Sequence, residues 1–218
     1  MDQPKQRIPA LPREQWTDAA RDVFAFWGEP GAWENGSKIQ KEMIMAQHPE
    51  LATAFNTFGK QILLNSSIPE RPRELMVLRA AWLHKAIYAW HFHVGYAMNA
   101  GVTLAEIEAI RDGTQSPVWD GKPLDRAAIA AVDELFATAT LSDATWAALA
   151  EHFDTRQMME VVFTIGAYAM LNWAVNAFGI PLGEEIDALG FDLRTASGKE
   201  PLVRFRPGER EDWAETGN

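Results

Sequence analysis

The residues of this chain that are best suited to chemistry lie in one short segment, HKAIYAWHFHVGYAMNAG, at positions 84–101. Three of the five histidines, His84, His91 and His93, fall within ten positions there, beside two tyrosines and a tryptophan. An imidazole exchanges protons near neutral pH and is also a common metal ligand. The segment therefore predicts either acid/base chemistry or a metal site.

The spacing of these histidines argues against a metal ion. Positions three, four and seven apart share a helix face, which groups His84 with Tyr88 and His91. Because each residue turns about 100°, His91 and His93 point roughly 160° apart and do not easily hold one ion. A helical zinc motif such as H-E-x-x-H would add a carboxylate or third histidine at a matching spacing, and none is present. We therefore predict no metal site.

His93 is the candidate acid/base residue. Ala86 and Ala89 precede it and Ala97 follows it on the same helix face, and these small side chains leave space beside the imidazole. Such a space favours a pocket in which His93 acts as a general acid or base. The alternative is a core or interface histidine whose nitrogens bond to backbone carbonyls or water.

Glu74 is the second candidate, because it lies where a long apolar segment begins and most of its neighbours are expected to be buried. If Glu74 points inward, its carboxyl group can carry a proton to or from His93. Alternatively, it is an acid near a helix N-terminus, favoured by the helix dipole and paired with Arg71 or Arg73. Arg79 or Arg73 is a candidate to bind a substrate carboxylate if its side chain turns inward.

Helical periodicity recurs along the chain, whereas the alternating pattern of β-strands is absent, so the predicted fold class is all-α. Three prolines in residues 1–16 predict an extended N-terminal arm. Residues 17–182 are predicted to form a single all-helical domain, and the charged, Gly- and Pro-containing residues 183–218 an irregular C-terminal arm. Residues 73–100 are apolar almost throughout, which places their helix or pair of helices in the middle of the protein.

Capping residues mark several helix boundaries. Thr103 and Glu106 have the spacing of a capping box, and Gly101 is predicted to stop the preceding helix. Asp125 and Ser142 are predicted to begin two later helices as N-caps.

The composition excludes several classes of function. The 20 basic and 30 acidic residues give a net charge of −10 without a basic run, so no nucleic-acid partner is expected. Without cysteine, disulfides and thiol chemistry are excluded. No glycine-rich phosphate loop is present. Neither a signal segment nor 18 continuous apolar residues is found, so we expect a cytoplasmic protein without a membrane partner.

The segment HPELATAFNTFGKQILLNSSIPERPRELMVLRAAWLHKAIYAWHFHVGYAMNAGVTLAEIEAI resembles the carboxymuconolactone decarboxylase family of the alkylhydroperoxidase D-like superfamily. The resemblance covers roughly residues 8–182 and is strongest at REL, residues 73–75, and YAWHFH, residues 88–93. It implies that Glu74 and His93, 93 − 74 = 19 residues apart, form a proton-relay pair.

The resemblance also defines where this chain departs from its relatives. Peroxidase members have two cysteines at the positions of Ala86 and Ala89, which implies that this chain is not a thiol peroxidase. Many cysteine-free relatives have a glutamate at the position of Ala89, so the alanine enlarges the space beside His93. His84, Tyr88 and His91 are candidates to replace that carboxylate or to contact a different substrate.

The fold implied by the resemblance is a compact multi-helix bundle that assembles as a homotrimer or homohexamer. The implied activity is that of a cofactor-independent lyase, decarboxylase-like or cleaving another carbon–carbon bond, in the catabolism of a small cyclic or aromatic-derived metabolite. His93 would be the general acid or base, and Glu74 would orient it or shuttle its proton. The residues expected to contact the substrate are Tyr88, His91, Trp90 and Ala89. An isomerase or dehydratase, or a non-catalytic ligand-binding or assembly protein, is the alternative.

Overall fold

α-Helices supply the regular structure of this chain. A computed structural model describes residues 5–182, in which there are ten α-helices, three short 3-10 helices and no β-strand. In chain order the α-helices are α1 (Asp18–Ala25), α2 (Ala32–Asn35), α3 (Gln40–Met45), α4 (Pro49–Leu64), α5 (Glu70–Leu83), α6 (Ile87–Asn99), α7 (Leu104–Ala109), α8 (Pro123–Thr138), α9 (Asp143–Ala150) and α10 (Thr155–Phe178). The predicted all-α class is confirmed.

Two helices begin where capping residues predict them, and a side chain also caps a third. The Thr17 side chain caps α1 and the Ser142 side chain caps α9, each accepting a backbone N–H of the first turn. Thr103 and Glu106 form the predicted capping box at the start of α7. These short side chains satisfy N–H groups that have no partner within their own helix.

The predicted cap at Asp125 is wrong. Helix α8 begins two residues earlier, at Pro123, because proline suits the first helical position, where no backbone N–H is needed. The Asp125 carboxylate instead accepts a hydrogen bond from Nη2 of Arg71 at 2.8 Å. An acid in the first turn can therefore serve a distant cation and leave the helix end without a side-chain cap.

The described residues form two compact units. The first comprises residues 5–63 and 175–182, and the second comprises residues 64–174. The predicted single domain over residues 17–182 stays a prediction, and the predicted arm at 183–218 lies outside the described residues.

A buried polar network joins α3 and α4 in the first unit. The Glu42 carboxylate is fully buried, pairs with Lys41, and accepts hydrogen bonds from Nε1 of Trp27 at 2.8 Å and Nδ2 of Asn56 at 2.6 Å. Nζ of Lys41 also donates to Oδ1 of Asn56 at 2.8 Å. Every charged or amide group of the network thus has a partner, as burial requires.

Helix α5 lies at the centre of the second unit. Residues 72–81 are buried all round the helix, and α5 packs against both α6 and α8. This central position agrees with the almost continuous apolar pattern of residues 73–100. Three charged residues, Arg73, Glu74 and Arg79, are buried with the apolar ones. A buried charge needs a partner, so this helix is where a functional site is to be sought.

Glu106 anchors a second set of charges, near the start of α7. Its carboxylate pairs with Arg71 at 2.6 Å and with Lys122, and accepts the backbone N–H of Thr103 at 2.7 Å. Burial alone would raise the pKa of Glu106, but the hydrogen bonds from Arg71, Lys122 and Thr103 outweigh it and lower the pKa from 4.5 to about 2.

We expect Glu106 to make the stability of the fold sensitive to acid. Because its pKa is lower in the folded chain, its contribution, roughly 3 kcal/mol, is present above pH 4.5 and is lost as the pH falls towards 2. Urea unfolding of wild type and Glu106→Gln at pH 6 and pH 3 measures this. The difference in free energy of unfolding between wild type and Glu106→Gln should be smaller at pH 3 than at pH 6. Glu50→Gln, at an exposed residue, should have the same free energy of unfolding as wild type at both pH values. An unchanged difference would contradict the prediction.

Helix α10 is the one helix of residues 5–182 long and apolar enough to cross a membrane by length and composition. Its apolar window has a mean hydropathy of 1.4, and 44% of it is buried inside the protein. The core helix of a soluble protein has the same properties. The feature is therefore weak evidence for a membrane partner.

Candidate functional site

Glu74 and His93 meet inside the second unit. Helix α5 carries Glu74 and α6 carries His93, and the two helices pack side by side. Oε2 of Glu74 lies 2.6 Å from Nδ1 of His93, and Glu74 is only 1% exposed. Of the two sequence-based alternatives for Glu74, the structure shows the inward one.

This hydrogen bond orients the imidazole of His93. An ionised carboxylate can only accept, so Nδ1 carries the proton when Glu74 is ionised. Nε2 then has the lone pair and can take a proton from another molecule, after which Glu74 stabilises the imidazolium. The arrangement can therefore act as a general base with a positioning carboxylate, or in reverse as a general acid.

Two tyrosines pack around His93. The ring of Tyr96 lies 5.1 Å and that of Tyr168 4.8 Å from the imidazole, both edge to face. Burial, with Glu74 and Tyr96 nearby, raises the pKa of Tyr168 well above its ordinary range. Tyr168 therefore stays a neutral phenol beside the imidazole, able to donate a hydrogen bond.

Both tyrosines were missed by sequence reasoning. Tyr96 lies three residues after His93 on α6, so helical spacing alone was enough to find it. Tyr168 lies on α10, and nothing in the sequence connects it with His93. Only the packing of the helices brings it to the site.

Arg73 is the cation closest to the pair. Its Nη2 lies 3.3 Å from Oε1 of Glu74, and the residue is 7% exposed. Its Nε has no hydrogen-bond partner among residues 5–182. A buried guanidinium with one long hydrogen bond retains donors for an anion, and its fork geometry suits a carboxylate.

Arg79, the other predicted carboxylate binder, is fully engaged elsewhere. Its Nε donates to Asp133 at 2.6 Å, and its Nη1 donates to the backbone carbonyls of Ile110 and Arg111 at 2.6 and 3.0 Å. Gly113 makes room for the guanidinium, since a Cβ there would lie 2.7 Å from Nη2, and its φ is +58°. The Arg79 side chain thus joins α5 to α8 and to the segment after α7.

The four predicted substrate contacts lie close together on α6. Tyr88, Ala89, Trp90 and His91 are all buried, each at most 8% exposed. Burial lowers the pKa of His91, so its ring is neutral at neutral pH, and its Nδ1 has no hydrogen-bond partner among residues 5–182. Contact of these four residues with a substrate stays a prediction.

The predicted helix face of His84, Tyr88 and His91 is wrong for His84. Helix α5 ends at Leu83 and α6 begins at Ile87, so His84 caps the C-terminus of α5. The break occurs at Lys85, whose φ of 55° is left-handed and ends the helix. The His84 ring stacks on Phe136 at 4.4 Å, which gives it a packing role.

The described residues contain no group of three or more His, Asp or Glu side chains placed to hold a metal ion.

A family model identifies the segment that carries this pair. The model of the carboxymuconolactone decarboxylase family matches residues 49–134. Over this segment the chain belongs to that family. The matched segment contains Glu74, His93 and all four predicted substrate contacts. Among curated proteins, no match to the chain is found.

Solved structures share the fold of this chain. A peroxidase-related protein from Ralstonia eutropha JMP134 with an alkylhydroperoxidase AhpD core has a TM-score of 0.66 at 15% identity, covering 84% of this chain and 95% of that one. A peroxidase-related protein from Silicibacter sp. TM1040 has a TM-score of 0.63 at 17% identity, covering 84% of this chain and 97% of that one. The debrominase Bmp8 in complex with 2,3,4-tribromopyrrole has a TM-score of 0.62 at 20% identity, covering 84% of this chain and 95% of that one. At these identities the likeness shows the AhpD-like fold alone.

Proposed function

We propose that this chain is a cofactor-independent lyase that uses acid/base chemistry on a small cyclic or aromatic-derived metabolite. The observation that carries the proposal is the buried hydrogen bond between Glu74 and His93. Membership of the carboxymuconolactone decarboxylase family over residues 49–134 supports a decarboxylation or a related carbon–carbon cleavage.

The neighbouring side chains support a division of roles in such a reaction. When CO₂ leaves a ring acid that carries a conjugated carbonyl group, the electron pair of the broken carbon–carbon bond moves onto the carbonyl oxygen and forms an enolate. The neutral Tyr168 phenol can donate a hydrogen bond to that oxygen. His93, protonated at Nε2, gives its proton to the carbon and takes another from solvent. Arg73 can hold an anionic substituent of the same substrate.

An isomerase or dehydratase acting on a similar substrate is the second candidate. Ala89 favours it, because an alanine beside His93 replaces the glutamate of many relatives and leaves Glu74 as the acid bonded to the imidazole. The same base serves both reactions, so only the products separate them.

Incubation with a panel of lactone acids and ring carboxylates, with products followed by mass, tests the proposal. A product lighter by CO₂ supports the lyase, and one of unchanged mass or lighter by water supports the second candidate. His152→Ala, at an exposed histidine, is the matched control for His93→Ala. Turnover that survives in His93→Ala, or no turnover of any compound, contradicts the proposed function.

We also propose that the chain self-associates in the cytoplasm, as a homotrimer or homohexamer, through the outer face of α10. The exposed apolar side chains of this face recur at alternating steps of four and three residues, and each is 45–62% exposed. They are Met159, Phe163, Met170 and Trp173, with Gly166 between them. A seam with this period can pack against its own copy in a neighbouring chain.

Phe163→Glu with Trp173→Glu should dissociate this assembly, because the two charges would be buried in the seam. We expect the dissociation constant to rise at least about 100-fold, measured by light scattering after gel filtration. Trp146→Glu, at a tryptophan of α9 that is 49% exposed, should leave the mass of the assembly unchanged. A monomeric wild type that binds lipid vesicles would contradict the proposal and assign the face to a membrane.

A further inference from the structure

Helix α10 turns a row of polar side chains towards the site. Thr164, Tyr168 and Asn172 follow one another at four-residue steps, so they lie along one face of the helix. Thr164 and Asn172 are fully buried and Tyr168 is 7% exposed. The middle member of the row, Tyr168, packs its ring against His93 and is close enough to Glu74 for the carboxylate to raise its pKa. The row therefore borders the acid/base pair.

The two outer members of this row have polar atoms without hydrogen-bond partners in residues 5–182. Neither Nδ2 nor Oδ1 of Asn172 has a hydrogen-bond partner among residues 5–182, and neither does Oγ1 of Thr164. Burying an amide in this way is strongly unfavourable compared with burying a leucine of similar size. Side chains with this property are typical of ligand sites, where the missing hydrogen bonds are made to the ligand.

Asn56 shows what an asparagine that serves the fold looks like in this chain. It is also fully buried, but its Oδ1 accepts from Lys41 at 2.8 Å and its Nδ2 donates to Glu42 at 2.6 Å. Asn172 has no such bonds within residues 5–182. The two asparagines thus have equal burial and different hydrogen bonding within residues 5–182.

We infer that Asn172, assisted by Thr164, is a specificity-determining residue that binds an uncharged hydroxyl or carbonyl group on the ring of the substrate. The inference rests on the proposed function, in which His93 faces the reacting carbon. An amide both donates and accepts, so it suits an uncharged polar group, whereas the Arg73 guanidinium suits a carboxylate. Four helical residues span about 6 Å, so Tyr168 and Asn172 can reach two substituents of one ring. The ligand class is a monocyclic ring acid with a second, uncharged oxygen substituent.

The first test compares two variants without ligand. Asn172→Leu removes two unpaired polar atoms, so we expect its melting temperature to stay within about 2 °C of wild type or to rise. Asn56→Leu breaks a satisfied network and should lower the melting temperature by about 5 °C or more. If the melting temperature of Asn172→Leu falls as far as that of Asn56→Leu, the Asn172 amide is structural and the inference is overturned.

The second test measures dissociation constants of benzoate and the three hydroxybenzoates by calorimetry. We expect wild type to bind at least one hydroxybenzoate about tenfold more tightly than benzoate, because one additional hydrogen bond raises the affinity by about that factor. Asn172→Leu should bring that affinity to the level of benzoate, and Thr164→Val should reduce the preference in part. His152→Ala should keep the full preference.

Three outcomes overturn the inference: no preference in wild type, a preference that Asn172→Leu leaves intact, or no binding of any of the four acids. A preference that survives in Asn172→Leu would mean that a group other than Asn172 recognises the hydroxyl. None of these outcomes decides the proposed function, which is judged separately by the turnover of wild type against His93→Ala.

Discussion

His93→Ala is expected to lower turnover at least about 100-fold, the usual loss when a general acid or base is removed. The substituted protein should fold, because His93 makes its side-chain hydrogen bond to Glu74 alone and Glu74 keeps its contact with Arg73. Turnover is measured with the best compound of the panel, and circular dichroism checks the fold. His152→Ala should keep wild-type turnover. Equal turnover in both variants would remove His93 from the reaction.

Glu74→Gln separates the role of the charge from that of the hydrogen bond. A glutamine can still hold the imidazole, but it cannot stabilise the imidazolium or carry its proton. We expect turnover to fall by about 10- to 100-fold, less than in His93→Ala. The double variant His93→Ala with Glu74→Gln should be no slower than His93→Ala alone, because the two residues act as one unit. Additive losses would mean that Glu74 acts independently of His93.

The second large effect concerns stability. Glu42→Leu should lower the free energy of unfolding by about 3–5 kcal/mol, because it leaves the buried Lys41 ammonium without its carboxylate. Nε1 of Trp27 and Nδ2 of Asn56 lose an acceptor at the same time. Denaturant unfolding at neutral pH measures the change.

Two further variants make this result specific to the network. Lys41→Met added to Glu42→Leu should recover part of the loss, since an apolar pair of similar size replaces a broken ion pair. Glu50→Gln, at the exposed start of α4, should stay within about 0.5 kcal/mol of wild type. A loss below about 1 kcal/mol in Glu42→Leu would show that water reaches Lys41.

Much of the fold follows from local signals in the sequence. The capping residues Thr103 and Ser142 start their helices as expected, because each needs only its own first turn to act. Asp125 was misjudged because its carboxylate bonds to Arg71, which lies 54 residues away in the sequence. A cap is a local interaction, whereas the choice between a cap and an ion pair depends on what the fold brings near.

The same distinction between local interactions and those that depend on the fold applies to the site. The pairing of Glu74 with His93 was expected from the family resemblance, and the structure places the two side chains in contact. The prediction for His84 was wrong because it continued the helical spacing through Lys85, whose backbone is left-handed. A lysine in the sequence does not indicate such a conformation. Tyr168 and Asn172 could not be predicted from the sequence, because their positions on α10 differ from those of other buried helical residues only in their contacts.

The turn at Lys85 makes α5 and α6 a single helical hairpin that carries both members of the acid/base pair. Contacts between residues near in sequence form with a small loss of chain entropy, and such contacts favour fast folding. The hydrogen bond between Glu74 and His93 needs only this hairpin, whereas the contact of Tyr168 with His93 also needs α10. We therefore expect the acid/base pair to form before α10 docks during folding, and the proposed ligand-selecting residues to join it afterwards.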